Sequence, residues 1–339
     1  MLSLRRRARP PALPSDEDHQ SGLRALLYDA ELDYSLVSLQ EVEVDALTAE
    51  QLLWVDVSDG AVEQAAAAFG LTEETIAVLC EQTHDPDLFT HDDYVHVIVV
   101  APGVDQGSVG PRRLDCLVGP NWVITFHLEP IPFLDHLDTR MRGNTNAGRI
   151  DSHDFLAAIL HELVASYLAE LRPLEAGLDR VDLRALTGRI DDEALLRELV
   201  HTRVRLAKLR RLLEPHRELY PRLARSEFVV LSGSSVASDF EAPTDLLERT
   251  LQAMETTREM IAGSFEIYTT WTTHGTNKVM KRLTVASVTL LPPTLVSSVM
   301  GMNSLPGAFQ TNAAFWLSTA AMASLGVSTV TLAWIRRWI

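Results

Sequence analysis

The chain has 339 residues, and its 46 acidic residues against 30 basic residues give a net charge of −16. This acidic balance argues against nucleic acid as a partner, because a phosphate backbone calls for a basic surface, and it favours cations. Only two cysteines occur, Cys80 and Cys116, so no disulfide framework is expected.

Residues 1–22 are predicted to form a disordered tail. A basic run from Arg5 to Arg9 is followed by prolines and by an acidic stretch that begins at Asp16. No apolar segment follows the basic run, which excludes a signal peptide. The tail is interpreted as a solvated arm, with contact to anionic lipid as the alternative.

Residues 23–150 are predicted to form a cytoplasmic α/β domain. Apolar and β-branched runs predict strands, and two short segments have the features of helices, the first closed by Gly70 and the second N-capped by Thr72. The predicted elements are strands at 52–57 and 94–100, a hairpin at 114–128 that turns at Gly119, and helices at 62–69 and 73–81.

Two histidine and aspartate clusters in this domain are the features that could suggest an enzyme. They are His84, Asp85 and Asp87, and His91, Asp92 and Asp93. Neither has the helical spacing of a His-Glu-x-x-His metal site, and Pro86 favours a turn. A solvated loop that enters a strand is the preferred interpretation, and the chain is not expected to be an enzyme.

Residues 151–242 are predicted to form a long helical hairpin and a connector. Apolar residues recur every three or four positions in a helix that Ser152 caps and that ends near Leu186. A second helix is expected to run from about Asp191 to about Leu223. Helices of this length indicate a hairpin with coiled-coil character.

Residues 243–282 are predicted to form a stalk helix. No strong helix breaker precedes Pro292, so the helix is expected to begin near Asp245 and to continue through Asn277 into the next segment. It would then cover about 55 residues, or roughly 80 Å. A helix this long needs neighbours along its length, which copies of itself in a ring would supply.

Two uncharged segments near the C-terminus are predicted to be transmembrane helices. The first is 283–302, long enough to cross the hydrocarbon layer of a bilayer; an external loop at 303–312, the second span at 313–335 and a cytoplasmic end at 336–339 follow. Basic residues flank the pair of spans and the loop has none. The positive-inside rule therefore places both termini in the cytoplasm and the protein in the plasma (inner) membrane as a multi-pass protein.

Eight residues form a stripe along the first span, and six of them are small, hydroxylated or amide residues. They recur at alternating intervals of three and four, which places them on one helix face. The stripe allows two interpretations, close helix packing or the wall of a water-filled path. Its members are Asn277, Met280, Thr284, Ser287, Leu291, Thr294, Ser298 and Gly301.

The tripeptide Gly301-Met302-Asn303 at the outer end of this span resembles the signature of the CorA family of divalent-cation channels. The basic-flanked segment Lys278-Val-Met-Lys-Arg-Leu-Thr before the span is similar to the same family, as is the run from Gly119 to Pro130, which contains Ile-Thr-Phe-His-Leu-Glu-Pro. The resemblance implies an α+β membrane protein with an N-terminal cytoplasmic α/β domain, a long helical hairpin and stalk helix, and two C-terminal transmembrane helices.

The resemblance also implies roles for individual residues in a homopentameric pore. Gly301, Met302 and Asn303 would form the selectivity motif; Asn277, Met280, Thr284, Ser287, Leu291, Thr294 and Ser298 would line the pore; Met280, Leu283 and Leu291 would form the hydrophobic gate; and Lys278, Lys281 and Arg282 would form a basic collar. Amide oxygens suit a magnesium ion that keeps its water, and apolar rings gate by dewetting.

The chain departs from the family pattern at three places. The external loop has no acidic residue, which weakens the recruitment of a divalent ion at the outer mouth. The acids of the family's regulatory metal site fall at Ala77 and Val78 by alignment, so Asp245 and Glu248 remain as candidates for such a site. Pro293 after Pro292 is also unusual and is expected to stiffen or kink the span.

Channel-like influx of magnesium is the function that the resemblance implies. Cobalt, nickel and zinc are the other ions considered, no cofactor is expected, and the partners are further copies of the chain, the lipid bilayer and divalent cations, without nucleic acid. A zinc transporter of the same superfamily is one alternative. The alternative from another class is a membrane-anchored cytoplasmic sensor or scaffold that does not conduct.

Overall fold

The computed structural model describes residues 22–29, 33–39, 42–48, 50–58, 61–81, 83–105, 107–142, 151–187, 192–224, 238–301 and 311–336. The predicted tail before residue 22, most of the connector and most of the external loop, with Met302 and Asn303, lie outside these ranges. The chain divides into two compact units, Met1–Arg180 with Asp191–Ile261 and Val181–Ile190 with Ala262–Ile339.

The first unit contains a seven-stranded mixed sheet. Its strands are β1 (Leu23–Asp29), β2 (Asp33–Leu36), β3 (Gln51–Val57), β4 (Asp87–Thr90), β5 (Val95–Asp105), β6 (Ser108–Val118) and β7 (Trp122–Phe126), in the order β2-β1-β3-β7-β6-β5-β4. β3 and β7 pair in parallel, with Val55 opposite Ile124, and the other described pairs are antiparallel. The predicted strands and the hairpin at Gly119 are confirmed.

Helices cover both faces of this sheet, which is why its central strands are apolar runs without alternation. On one face, helices α1 (Val62–Phe69) and α2 (Glu73–Cys80) pack over a core that includes Leu53, Val55 and Ile124. Gly70 has a φ of 62° at the end of α1, and the Thr72 side chain accepts a hydrogen bond from the Thr75 N–H at the start of α2. Both predicted caps are confirmed.

The remaining helices are α3 (Pro132–Arg142), α4 (Ser152–Thr187), α5 (Asp192–Leu213), α6 (His216–Leu223), α7 (Glu241–Met300) and α8 (Asn312–Ile335). α4 packs on the second face of the sheet, where the Phe155 ring lies 5.2 Å from the Trp54 ring. The Tyr167 hydroxyl donates to the Val100 carbonyl at 2.8 Å, which ties α4 to β5.

Two details of the predicted hairpin are wrong. The second helix does not run unbroken to Leu223 but stops at Leu213 and restarts at His216. Pro215 lies in the break, because it has no N–H to donate and its ring crowds the preceding turn. Ser152 does not cap α4; its hydroxyl donates to the carbonyls of Gly119 at 2.6 Å and Pro120 at 3.1 Å, and so holds the start of α4 against the β6–β7 turn.

α7 has 60 residues and is about 90 Å long at the α-helical rise. It begins at Glu241, slightly earlier than predicted, and it passes through Pro292 and Pro293 without ending. Within the first unit its residues Leu247, Met254 and Ile261 are buried at intervals of seven, the spacing of a helix that packs along one face.

The second unit contains the rest of α7 and α8. Both helices are long and apolar enough to cross a membrane, and almost none of their apolar windows is buried within the protein. The core helix of a water-soluble domain would be mostly buried. The pair therefore has the length and the surface of membrane-spanning helices.

Candidate ion pathway

The polar stripe predicted on the first span lies on α7, and its side chains are exposed. Three hydroxyl groups donate to the backbone carbonyl four residues earlier: Thr284 to Met280 at 2.8 Å, Ser287 to Leu283 at 2.9 Å and Thr294 to Leu290 at 2.6 Å. Because each hydroxyl proton is held by the helix, the oxygen lone pairs are left to accept hydrogen bonds from water.

The apolar members of the predicted gate are also exposed. Met280, Leu283 and Leu291 expose 55%, 61% and 67% of their surface. Met280 and Leu291 are eleven residues apart, close to three full turns, so they lie on the same side of α7. Asn277 and Ser298 are exposed near the two ends of the stripe.

A different face of α7 packs toward α8. The partly buried residues Val285, Thr289, Pro292 and Val296 recur every three or four positions. The helical repeat places these residues roughly 100° or more around the axis from the polar stripe. Thr284 is the one member of the stripe in the lining of a hollow between α7 and α8, so the stripe adjoins the α8-facing surface at that position, and its other members are exposed.

The Gly-Met-Asn motif begins where α7 ends. The Gly301 N–H donates to the Ser297 carbonyl at 3.0 Å and completes the last helical turn. Met302 and Asn303 lie outside the described residues. The structure thus places the start of the motif at the end of the first span.

The predicted basic collar occupies the opposite end of the same span. Lys278, Lys281 and Arg282 are exposed, and none of them forms an ion pair in the part of the chain that the structure describes. Lys278 and Arg282 precede Val285 by seven and three residues, so they share the face that looks toward α8. Lys281 lies between that face and the polar stripe.

The two candidates for a regulatory metal site are both paired with arginine. Asp245 lies 3.4 Å from Arg249 one turn along α7, and Glu248 accepts hydrogen bonds from Arg217 at 2.8 and 3.1 Å. A metal ion at either carboxylate would have to displace a guanidinium group. The two residues are not among the described groups of three or more metal-ligating side chains.

The described residues do contain one such group, which the sequence reasoning missed. Ligand atoms of Asp151, His153 and Asp154 lie within 4.8 Å of one another, and His153 Nε2 is 3.4 Å from Asp239. Burial and the carboxylates of Asp239 and Asp151 raise the pKa of Asp154. The acids stand at the start of α4, where they complement the helix dipole, so the group has a structural explanation without a metal.

A second feature absent from the sequence reasoning is a cavity of about 390 Å³ at the carboxyl ends of β3 and β7. Arg24 lies over the Trp54 ring at 5.6 Å and pairs with Asp56 at 3.2 Å, while His127 is 3.3 Å from Asp56. Burial raises the pKa of Asp56, but hydrogen bonds with His127 and Thr125 and the charges of His127 and Arg24 outweigh burial and leave it below its ordinary value.

Two members of the histidine and aspartate clusters of the α/β domain have clear structural partners. His91 stacks on Tyr94 with ring centroids 4.5 Å apart, and its Nε2 is 3.2 Å from the Thr75 hydroxyl. Asp87 pairs with Arg222 at 3.1 Å. These side chains are used in packing and ion pairing around β4, as a loop that enters a strand requires.

A model of the CorA-like Mg2+ transporter protein family matches residues 49–337. The match extends from β3 through both apolar helices. It therefore covers the sheet of the first unit, the long helix and the candidate pathway together.

Individual relatives extend this finding. The cobalt/magnesium transport protein CorA of Thermotoga maritima is 22% identical over 261 residues, which cover 74% of this chain and 72% of that protein. The complete CorA magnesium transporter from Methanocaldococcus jannaschii matches with a TM-score of 0.78 and 20% identity over 93% of this chain and 98% of that one. The full-length CmaX protein matches with a TM-score of 0.71 and 23% identity over 93% and 97%. At these identities the structures establish a shared fold.

Proposed function

The chain belongs to the CorA-like Mg2+ transporter family, and on that premise we propose that it carries magnesium into the cytoplasm through a homopentameric pore lined by α7. The observation that carries the proposal is the polar stripe of α7, whose members are exposed and, apart from Thr284, do not line the hollow between α7 and α8. Five copies of the stripe around a common axis would enclose a water-filled path.

The exposed apolar residues of α7 support an assembly of several copies. Val279 and Met280, just before the uncharged span, and Leu283, its first residue, are all more than half exposed. A helix of this length is not stable without neighbours, and apolar surface at the level of water is stabilised by burial against another protein surface. Neighbouring copies of α7 would supply that surface.

The chemistry of the stripe suits a hydrated divalent cation. No acidic residue follows Glu266, so the pathway itself offers hydroxyl, amide and carbonyl oxygens. Magnesium gives up its water reluctantly, and neutral oxygens that accept hydrogen bonds can hold its hydration shell without stripping it. The hydroxyls of Thr284, Ser287 and Thr294, whose protons are engaged by the backbone, are such acceptors.

The two apolar rings of the gate would lie about 16 Å apart along the axis, at Met280 and Leu291. Rings of this kind close a pore by excluding water, without any charge. Asn303 would form the outer ring of amides that selects the ion, as the family motif implies. The basic collar would lie at the inner membrane surface with Lys278 and Arg282 turned away from the axis.

A flux assay in liposomes tests the proposal. The full-length protein should pass magnesium, and Asn303→Ala should lower the flux at least about tenfold, equivalent to roughly 1.4 kcal/mol. Asn312→Ala makes the same change at the other end of the connection and should leave the flux within about twofold, below 0.5 kcal/mol.

The outcomes separate the alternatives. Zinc flux without magnesium flux would assign the chain to a zinc-transporting branch. No flux of magnesium, cobalt or zinc above protein-free liposomes would favour a non-conducting sensor or scaffold.

Crosslinking tests the geometry independently of flux. In a Cys80→Ser background, Ser287→Cys or Thr294→Cys should form disulfides between subunits, while Val285→Cys, on the face toward α8, should not. Mass measurement of the purified particle should give five times the 37.6 kDa chain. Crosslinks confined to Val285→Cys would overturn the proposed pore lining.

A further inference from the structure

α7 and α8 enclose a hollow of about 270 Å³ near the end of the spans that carries the basic residues. Its walls are mainly apolar, formed by Val285 and Val288 from α7 and by Leu332 and Ala333 from α8, and Thr284 and Thr329 also line it. Arg336 is the one charged residue in the lining and follows the last residue of α8. The hollow is thus a mainly apolar groove with a cation in its lining.

The charge around this end of the hollow is not balanced by the protein. No aspartate or glutamate follows Glu266, whereas Lys278, Lys281, Arg282, Arg336 and Arg337 all do. In the described residues, the first four form no ion pair, in contrast to Arg24 and Arg113 of the first unit, each of which is held by carboxylates. Their charge is therefore available to an anion from outside the chain.

The fold places one of these cations at the hollow itself. The Arg336 N–H donates to the Leu332 carbonyl at 3.0 Å, so Arg336 continues the last turn of α8 and lies in the lining of the hollow. Arg336 stands where the uncharged stretch of α8 ends, which is the level of lipid phosphate groups in a bilayer.

We propose that this hollow binds one anionic phospholipid in each protomer. An acyl chain lies between the helices against Val288 and Leu332, and the phosphate group is bound by Arg336. Arginine binds phosphate through two parallel N–H donors, which favours Arg336 over a diffuse lysine surface. The inference depends on the membrane placement of α7 and α8 and not on ion conduction.

The combination of the two features selects the occupant. A free phosphate ion would use Arg336 but not the groove, and an uncharged lipid would fill the groove but leave Arg336 unpaired. A neighbouring copy of the chain has no acidic residue in the same region to offer. A lipid with a negative headgroup satisfies both the apolar walls and the charges.

Native mass spectrometry of the full-length protein tests the proposal. Protein purified in a neutral detergent is mixed with phosphatidylglycerol or with phosphatidylcholine of the same acyl chains. We expect phosphatidylglycerol to be retained at one molecule per protomer and phosphatidylcholine to be lost. Arg336→Gln should weaken retention about tenfold, and Arg336→Lys should restore part of it.

Two further variants separate charge from shape. Arg211→Gln removes an exposed cation on α5 and should leave retention unchanged. Val288→Phe keeps every charge but fills the hollow, and it should also release phosphatidylglycerol. Oligomer size by size-exclusion chromatography verifies that each variant is assembled.

Equal retention of the two lipids, or full retention by Arg336→Gln, would overturn the proposal. The absence of any retained lipid in the unmodified protein would do the same and would indicate that a second copy covers the hollow. Failure of magnesium flux would leave the proposal intact, because lipid retention does not depend on conduction.

Discussion

Leucine side chains behave in opposite ways in the two units of the chain. Leu53, Leu117 and Leu163 of the first unit are completely buried, whereas Leu283 and Leu291 of the second are more than half exposed. Charged residues differ in a similar way. The half-buried Arg24 and Arg113 of the first unit pair with carboxylates, while the stretch after Glu266 contains five basic residues and no acid.

The contrast shows that the two units reach stability by different routes. The first unit closes a core around its own sheet, so its contacts are complete within one chain. The second unit leaves its apolar and basic surfaces uncovered within the chain, as membrane-spanning helices do. Substitutions in the first unit are therefore expected to change folding, and those in the second to change assembly and flux.

The largest expected effect is at a buried charge network of the first unit. The Asp115 carboxylate accepts hydrogen bonds from Nε and Nη2 of Arg113 and bonds with His96 Nε2, and each of the three distances is 2.7 Å. Asp115→Ala leaves both partners buried without a carboxylate and should lower the free energy of unfolding by roughly 3–5 kcal/mol. Hydrogen exchange of the β5 and β6 amides measures the loss. Exposed Asp179→Ala should have an effect below about 0.5 kcal/mol, and an equal loss in both variants would contradict the network's importance.

The same truncation at two leucines tests the division directly. Leu163→Ala opens a cavity beside the sheet and should lower the unfolding free energy of the first unit by roughly 2–5 kcal/mol. Leu291→Ala should leave that unit unchanged, since no packed side chain is lost, but it should raise the basal magnesium leak by widening the proposed gate. Thermal unfolding and liposome flux are measured on both variants. A leak through Leu163→Ala, or unfolding by Leu291→Ala, would refute the division.

The first unit should also lose stability in mild acid. Burial lowers the pKa of His216 to about 4, while its Nδ1–H donates to the Leu213 carbonyl and its Nε2 accepts from the Val100 N–H. Below about pH 6.5 the His216 imidazole takes up a proton in the unfolded chain, while in the folded chain it stays neutral until about pH 4. The free energy of unfolding therefore falls by about 3 kcal/mol between pH 6.5 and 4. Unfolding curves at pH 7 and 5 should differ for the native chain and much less for His216→Gln. An unchanged slope in the variant would assign the effect elsewhere.

Two glycines give the smallest expected effects, with opposite signs. Gly70 has a φ of 62°, and an added Cβ would meet nothing within 4 Å, so Gly70→Ala should cost about 1 kcal/mol through the backbone alone. Gly263 lies inside α7 with open space around it, and Gly263→Ala should stabilise the helix by about 0.5–1 kcal/mol. Thermal unfolding of the assembled protein measures both. Destabilisation by Gly263→Ala would indicate that another copy approaches α7 closely there.

Local patterns were sufficient to predict most elements of the chain. The strand at 52–57, the Gly119 turn and the caps at Gly70 and Thr72 each depend on a few adjacent residues, and all are confirmed. The break at Pro215 was missed because the apolar repeat of α5 continues into α6. The error at Ser152 arose because its hydroxyl has a tertiary partner, the carbonyl of Gly119, that competes with a cap.

Distant partners could not be inferred in the same way. Arg24, Trp54, Asp56 and His127 meet only because β1, β3 and β7 are adjacent in the sheet. Asp239 joins His153 across more than 80 positions, and neither sequence neighbourhood contains a sign of the other. Asp151, His153 and Asp154 are neighbours in the sequence, whereas Asp239, which lies beside His153 in the fold, is not.

The sequence by itself determined the two apolar spans, the polar stripe and the distribution of charge. The reason is that helical period and the absence of charges can be recognised within a single segment. Only the tertiary structure decided which residues of α7 turn toward α8 and that Arg336 lies at the hollow between the two helices. The reason is that side chains on every face of an apolar helix have similar hydropathy. The direction of packing depends on a second helix whose position no single segment encodes.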